Sequence, residues 1–188
     1  MCAGITVYSP MVYYGVKKDD KIAVAGLGGL GHMAVKLGVA MGAHVTVLSR
    51  GTAKKEEAMT RLGAHAYVDV TDPAQVKAHA DTFSHIVDTI SAPHDVNMYL
   101  GMADFDGKVI MVGASPEALP VHSFAYIVKR KSLVGSLIGG IRETQEMLDF
   151  CGEKNVYCEV ECIKPEQINE AYDRTVKADV RYRFVIDV

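Results

Sequence analysis

Three glycines at a fixed spacing are the first residues with a recognisable chemical use. The stretch VAGLGGLG places Gly26, Gly28 and Gly31 at GxGxxG, after a short apolar run and before residues at helical spacing. The first glycine permits a tight turn, the second lets the main chain approach a pyrophosphate, and the third lets the helix pack closely on its strand. Because the first N–H groups of that helix would face the phosphates, the turn predicts a dinucleotide site, with close packing alone as the alternative.

The stretch TVLSRGTAKK indicates which dinucleotide would bind. An acidic side chain at the end of the second strand would hold the ribose 2′-hydroxyl of NAD, but Ser49 and Arg50 stand at that position. A guanidinium, a hydroxyl and an ammonium from Lys54 or Lys55 suit the 2′-phosphate of NADP. The pattern therefore favours NADP. The alternative is that these residues form only a solvated loop and the start of a helix.

Composition limits what else the chain could be. With 188 residues, 49% of them hydrophobic and 23% charged, the chain is expected to fold around one core. A formal net charge of -3 gives no broad basic field, so neither nucleic acid nor an anionic membrane is expected as a partner. The run from Ile22 to Leu48 is strongly apolar, but Lys36 and two histidines interrupt it, which argues against a membrane span.

The cysteines indicate a reducing compartment, and their spacing does not indicate a metal site. No two of them stand at CxxC spacing and no secretory leader is recognised, so a reducing, cytoplasmic location is expected. Cys158 and Cys162 are interpreted as core or surface residues. His32 and His85 are interpreted as packing or hydrogen-bonding residues. The four cysteines are Cys2, Cys151, Cys158 and Cys162.

Strand-like and helical stretches alternate along the chain. The predicted strands are KIAVAGL, HVTVLSR, HAYVDV, FSHIVDTI, KVIMVGA after the turn DFDG, and SLVGSLIGG. Apolar strands that alternate with helices belong in a parallel sheet covered on both faces. We therefore expect a doubly wound α/β fold of the Rossmann type, with six parallel strands in the order 3-2-1-4-5-6. Ligands of such sheets bind at the carboxyl ends of the strands.

The chain divides into three predicted parts. Residues 1–20 form a helix-containing lead-in, residues 21–154 form the NADP-binding domain, and residues 155–188 form a return segment toward another domain. The return segment is expected to contain the strand VYCEVECI, the helix KPEQINEAYDRTV and the strand YRFVIDV.

Several motifs together resemble one enzyme family. CAGITVYSP, GLGGLGHMAVKLGVAMGA, KKEEAMTRLGA and SLIGGIRETQEMLDFC are similar to the nucleotide-binding half of the zinc-dependent medium-chain alcohol dehydrogenases, specifically the cinnamyl/sinapyl alcohol dehydrogenase branch. The resemblance implies reversible NADP(H)-linked reduction of an aldehyde to a primary alcohol, and a homodimer formed through the last strand of the sheet. It also implies an N-terminal catalytic domain of roughly 150 residues that is missing here, so this chain alone is expected to be inactive.

The resemblance also implies roles for individual residues. Cys2 corresponds to a catalytic zinc ligand, and Thr6 would lie against the cofactor. The residues that would hold the pyrophosphate are Gly26, Leu27, Gly28, Gly29, Leu30 and Gly31. The run SRGTAKK departs from the Ser-rich run of the family, which leaves Lys54 and Lys55 as alternatives for the 2′-phosphate. No catalytic residue is assigned within the chain. The residues that match strand-end positions lining the nicotinamide are Thr89, Val112, Gly113, Ser136, Leu137 and Ile138.

Two other functions remain open at this point. One is a non-catalytic NADP-sensing or interaction module, which would bind the cofactor to control a partner. The other is a zinc-free quinone reductase of the same superfamily, against which Cys2 argues because it stands at the zinc-ligand position.

Overall fold

A parallel sheet in the order β3-β2-β1-β4-β5-β6 forms the centre of the protein, as predicted. The computed structural model describes residues 1–177 and 179–188. The strands of this sheet are β1 Lys21–Ala25, β2 His44–Ser49, β3 Ala66–Asp69, β4 Phe83–Asp88, β5 Ala103–Met111 and β6 Ser132–Gly135. The helices are α1 Cys2–Tyr13, α2 Gly31–Ala40, α3 Lys55–Thr60, α4 Pro73–Ala78, α5 Val96–Met102, α6 Ser123–Ile127, α7 Ile141–Lys154 and α8 Ile168–Val176. Short 3-10 helices span Val128–Arg130 and Pro165–Gln167.

Both faces of the sheet are covered, which explains why its central strands β1 and β2 are mostly apolar and buried. Along β1, Ile22 and Val24 belong to one buried cluster, whereas Ala23 and Ala25 belong to the other. Successive strand residues point to opposite faces, so each face of β1 contributes to a different core. The predicted doubly wound α/β fold is therefore confirmed.

The start of β5 differs from the sequence prediction. The strand was expected after the turn DFDG, but it begins at Ala103, which pairs with Phe83 of β4. The register then shifts, and the next pair is His85 with Lys108. Asp106, with φ of 58°, lies in this irregularity. The turn residues are thus accommodated inside the strand as a bulge, which sequence patterns do not separate from a true turn.

The C-terminal segment forms a small layer of its own. β7 Glu161–Ile163 and β8 Phe184–Ile186 pair in parallel and do not join the main sheet. The predicted strand VYCEVECI is therefore shorter than expected. Glu159, just before β7, accepts hydrogen bonds from Lys36 of α2 at 2.6 Å and from Arg61 at 2.7 Å, which fastens this layer to α2.

The N-terminal segment packs against the same region. α1 contacts α2 and α7, and Ser9 donates a hydrogen bond to Glu143 of α7 over 2.9 Å. Gly4 allows this close approach, because a Cβ there would lie 3.0 Å from the sulfur of Met147. Within residues 1–177 and 179–188, no helix combines the length and apolar character needed to cross a bilayer. The division of the chain at residues 20 and 154 stays a prediction.

Candidate dinucleotide-binding site

The glycine-rich turn connects β1 to α2 at the carboxyl edge of the sheet. Gly26 has φ of 85°, a conformation that favours glycine, and its N–H bonds to the carbonyl of Leu48 at 3.0 Å. A Cβ at Gly31 would collide with the carbonyl oxygen of Gly26, so the third glycine is required for packing. Gly28 is exposed, and a Cβ there would meet no atom within 4 Å. The turn thus leaves bare main chain open at Gly28, which fits a pyrophosphate.

The turn opens onto a cleft of about 470 Å³ between the ends of β1, β2 and β4. This position is the one at which open α/β sheets bind ligands. The lining residues come from four loops and from α5. They are Gly26, Leu27, Gly28, Leu48, Ser49, Arg50, Lys54, Val70, Thr71, Thr89, Ile90, Ala92, Pro93, His94, Asp95, Met98 and Tyr99.

Positive side chains lie on one side of the cleft. The Lys54 ammonium donates a hydrogen bond to the carbonyl of Leu27 at 2.7 Å, which joins the β2–α3 loop to the glycine-rich turn. Burial, followed by the nearby charge of Arg181, lowers the pKa of Lys54, and Arg50 also contributes. Lys55 is exposed at the start of α3 and does not line the cleft. Of the two lysines that the sequence left open, Lys54 therefore lies beside the turn.

A carboxylate near the β2 tip is already engaged. Asp69, at the end of β3, accepts a hydrogen bond from the Gly51 N–H at 2.8 Å and two from Thr71 at 2.9 Å and 2.6 Å. These bonds, led by the Thr71 hydroxyl, lower the pKa of Asp69. Asp69 thereby fixes the loop after Ser49 and Arg50 instead of facing a ribose.

The residues predicted to line the nicotinamide lie along the strand ends. Among them, only Thr89 lines this cleft. Thr89 donates to the carbonyl of Ala25 at 2.8 Å. Val112 and Gly113 donate their N–H groups to the main-chain carbonyl of Asp88 at 2.9 and 3.0 Å, beyond the cleft. The residues after β6 that were assigned with them are Ser136, Leu137 and Ile138, and Leu137 is 87% exposed.

The zinc position is separate from the cleft. Cys2 begins α1 with its sulfur 3.9 Å from the buried Thr6 hydroxyl. Over residues 1–177 and 179–188, no three His, Cys, Asp or Glu side chains are grouped as metal ligands. The described residues thus do not form a zinc site, and Cys2 would supply one ligand at most.

His32 joins the glycine-rich turn to the C-terminal layer. It is fully buried, its Nδ1 lies 3.2 Å from the Gly28 carbonyl, and its Nε2 accepts the Glu159 N–H at 3.4 Å. The ring stacks on Tyr182 at 4.6 Å. Burial lowers the pKa of His32 to about 4, so the ring is neutral at neutral pH. Its one proton lies on Nδ1, because the Gly28 carbonyl can only accept a hydrogen bond. This is the packing and hydrogen-bonding role predicted for His32.

Two features of the site have no local signal in the sequence. Arg183 lies over the turn, because a Cβ on Gly29 would be 3.4 Å from its Nη2. Its buried Nε has no hydrogen-bond partner among the described residues. His94 follows β4 and lines the cleft. Both depend on contacts between distant parts of the chain or on a loop conformation, so motif spacing does not indicate them.

Comparison with known proteins places this geometry in a family. A family model described as "Zinc-binding dehydrogenase" matches residues 29–153. Alcohol dehydrogenase 9 of Catharanthus roseus is 51% identical over 189 residues, covering 100% of this chain and 52% of that protein. The chain thus spans about half the length of the curated relatives it matches.

Solved structures agree with the sequence relatives. A cinnamyl alcohol dehydrogenase of Sorghum bicolor superposes with a TM-score of 0.96 at 44% identity, covering 99% of this chain and 53% of that one. The CAD of Helicobacter pylori, solved in complex with NADP(H), has a TM-score of 0.88 at 40% identity with coverage of 99% and 53%. Since the family model matches more than half of the chain, the protein belongs to the zinc-binding dehydrogenases, with cinnamyl alcohol dehydrogenases among its relatives.

Proposed function

We propose that this chain binds NADP(H) and forms the cofactor half of an oxidoreductase that reversibly reduces aldehydes to primary alcohols. The observation that carries the proposal is the Lys54–Leu27 hydrogen bond of 2.7 Å, which joins the cationic loop to the pyrophosphate turn in one cleft. A ligand with a pyrophosphate and one further phosphate fits this arrangement, because the pyrophosphate would lie at the turn and the further phosphate at the cationic loop. The NADP(H) complex of the Helicobacter pylori relative supports the same cofactor.

The charges of the cleft support NADP over NAD. Arg50, Ser49 and Lys54 line it at the β2 tip, where an acid would hold the free ribose of NAD. Asp95 is the one carboxylate among the described lining residues, and it accepts the Asn97 N–H at the start of α5. A 2′-phosphate would therefore meet cations and a hydroxyl.

The pyrophosphate would lie on the exposed main chain at Gly28, at the N-terminus of α2. Arg183 would add a second positive group above Gly29. The nicotinamide would continue toward Thr89, Val112 and Gly113, and we retain Thr6 and residues 136–138 as its neighbours by family resemblance.

Turnover is proposed to need residues that this chain does not supply. The described residues offer no three-ligand zinc site, and Cys2 contributes a single thiol. We therefore expect the 188-residue chain to bind NADPH without oxidising it when cinnamaldehyde is added. Absorbance at the reduced-nicotinamide band, with and without added zinc, measures this. Zinc-dependent NADPH oxidation by the purified chain would contradict the proposal.

The exposed edge of the sheet supports a homodimer. β6 pairs with β5 alone among the described strands, and the exposed apolar residues Val128 and Leu137 flank it along the chain. Ile141 is 93% exposed and Phe124 is 76% exposed. An unpaired apolar edge favours association, so we propose that two copies meet there. We also propose a cytoplasmic location, because all four cysteines are free.

A further inference from the structure

The loop between β4 and α5 is closed by a buried hydrogen bond between Asp88 and His94. Asp88 is the last residue of β4 and is fully buried. Its Oδ2 lies 2.7 Å from Nε2 of His94, and its Oδ1 accepts the Ile90 N–H at 3.0 Å. The Nδ1 of His94 lies 2.7 Å from the carbonyl of Ala92. These three contacts tie residues 88–94 into one compact loop.

The hydrogen-bond partners of His94 determine which atoms of the Asp88–His94 pair carry protons. The Ala92 carbonyl can only accept, so Nδ1 of His94 carries a proton. A separation of 2.7 Å between Nε2 and Oδ2 requires one more proton, which the two side chains share. Both ring nitrogens of His94 are therefore engaged by groups of the same loop. The pair is net neutral, which allows a carboxylate to remain buried at the end of a parallel strand.

The same loop forms one wall of the cleft. Ile90, Pro93 and His94 line it, together with Tyr99 of α5. The rings of His94 and Tyr99 are 5.8 Å apart and inclined at 50°. Since the nitrogens of His94 are occupied within the loop, the side chain offers the cleft a flat ring instead of a hydrogen bond. A purine base suits such a wall.

We propose that His94 is a positioning residue for the adenosine half of the cofactor, acting through Asp88 to hold the β4–α5 loop as a preformed wall for the base. This inference rests on the proposed function, because it assumes that NADP(H) occupies the cleft. Burial raises the pKa of Asp88, whereas the Ile90 N–H and the His94 ring oppose that rise. Loss of His94 would leave Oδ2 of this buried carboxyl group without a partner beneath the wall.

Ligands that represent only one half of NADPH distinguish this role from a general effect on folding. In calorimetric titrations, His94→Phe should weaken NADPH and adenosine 2′,5′-bisphosphate by roughly 10- to 100-fold, because a loop without the Asp88–His94 contact must be ordered again when the base binds. Binding of reduced nicotinamide mononucleotide should stay unchanged, and so should the NADPH to NADH affinity ratio. His79→Phe is the matched control, because His79 also bonds a carbonyl through Nδ1 at 2.8 Å but lies outside the cleft.

A second variant keeps the test valid if His94→Phe fails to fold. Asp88→Asn/His94→Phe removes the buried charge, so it should fold and bind the bisphosphate better than His94→Phe while remaining weaker than wild type. Wild-type affinity for the bisphosphate in either folded variant would overturn the inference. Equal losses for both half-ligands would also overturn it. If the wild-type chain itself binds no NADPH, the proposed function fails instead.

Discussion

At the scale of single residues, Arg50 is the strongest determinant of the proposed cofactor preference. It is exposed at the cleft where β2 ends, and the nearby carboxylate of Asp69 is engaged by the Gly51 N–H. Arg50→Asp removes a charge-assisted hydrogen bond and adds repulsion, so NADPH binding should weaken relative to NADH by about 2 to 4 kcal/mol. Fluorescence titration with both cofactors measures the difference. An equal loss for the two cofactors would place Arg50 outside the 2′-phosphate site.

The two neighbouring lysines give a matched pair for a second test. Lys54 contacts the Leu27 carbonyl, whereas Lys55 is exposed at the start of α3 and outside the cleft. Lys54→Met should therefore weaken NADPH by about 1 to 2 kcal/mol, and Lys55→Met by less than about 0.5 kcal/mol. The same titration compares them, and a larger loss from Lys55→Met would reverse the assignment. Adjacent lysines at a helix start look equivalent in the sequence, so the contact across the turn was needed to tell them apart.

At the scale of elements, His32 links α2, the glycine-rich turn and the C-terminal layer, and this makes stability depend on pH. Its folded pKa is about 4, below the ordinary value of 6.5, so the unfolded chain binds the proton more readily. The free energy of unfolding should be unaffected by His32 above pH 6.5 and should fall between pH 6.5 and 4. The full loss is about 3 kcal/mol.

The matched control for this prediction is His32→Gln, whose amide can still donate to Gly28 and accept from Glu159. Urea unfolding of both proteins across pH 4 to 7 isolates the contribution of His32 from those of other titrating groups. The wild-type protein should lose more stability than the variant as the pH falls. Parallel curves would show that His32 is not the group responsible.

The sequence predicted most of the elements for identifiable reasons, and the candidate cleft lies beside the turn that the GxGxxG spacing indicated. Apolar strands and the GxGxxG spacing are local signals, so the six-stranded order and the cleft at the strand ends followed from them. The start of β5 was missed because Asp106 and Gly107 read as a turn, although they lie in a bulge. Arg183 over Gly29 and the Asp88–His94 pair depend on folded geometry that spacing does not carry.

At the scale of the whole molecule, the N-terminal helix and the C-terminal layer both pack against α2. α1 contacts α2 and α7, and Glu159 joins the C-terminal layer to Lys36 and Arg61. The C-terminal layer also reaches the glycine-rich turn itself through His32 and Arg183. A preformed turn of this kind loses little conformational freedom on binding, which favours affinity.

Calorimetric titration of the purified 188-residue chain with NADPH and, separately, with NADH shows whether the cleft prefers the phosphorylated cofactor. The cleft joins bare main chain at Gly28 to the cations Arg50 and Lys54. One NADPH should bind per chain with saturation, tighter than NADH by roughly 10-fold or more, because only NADPH carries the 2′-phosphate. A flat NADPH titration, or equal affinity for the two cofactors, would contradict it.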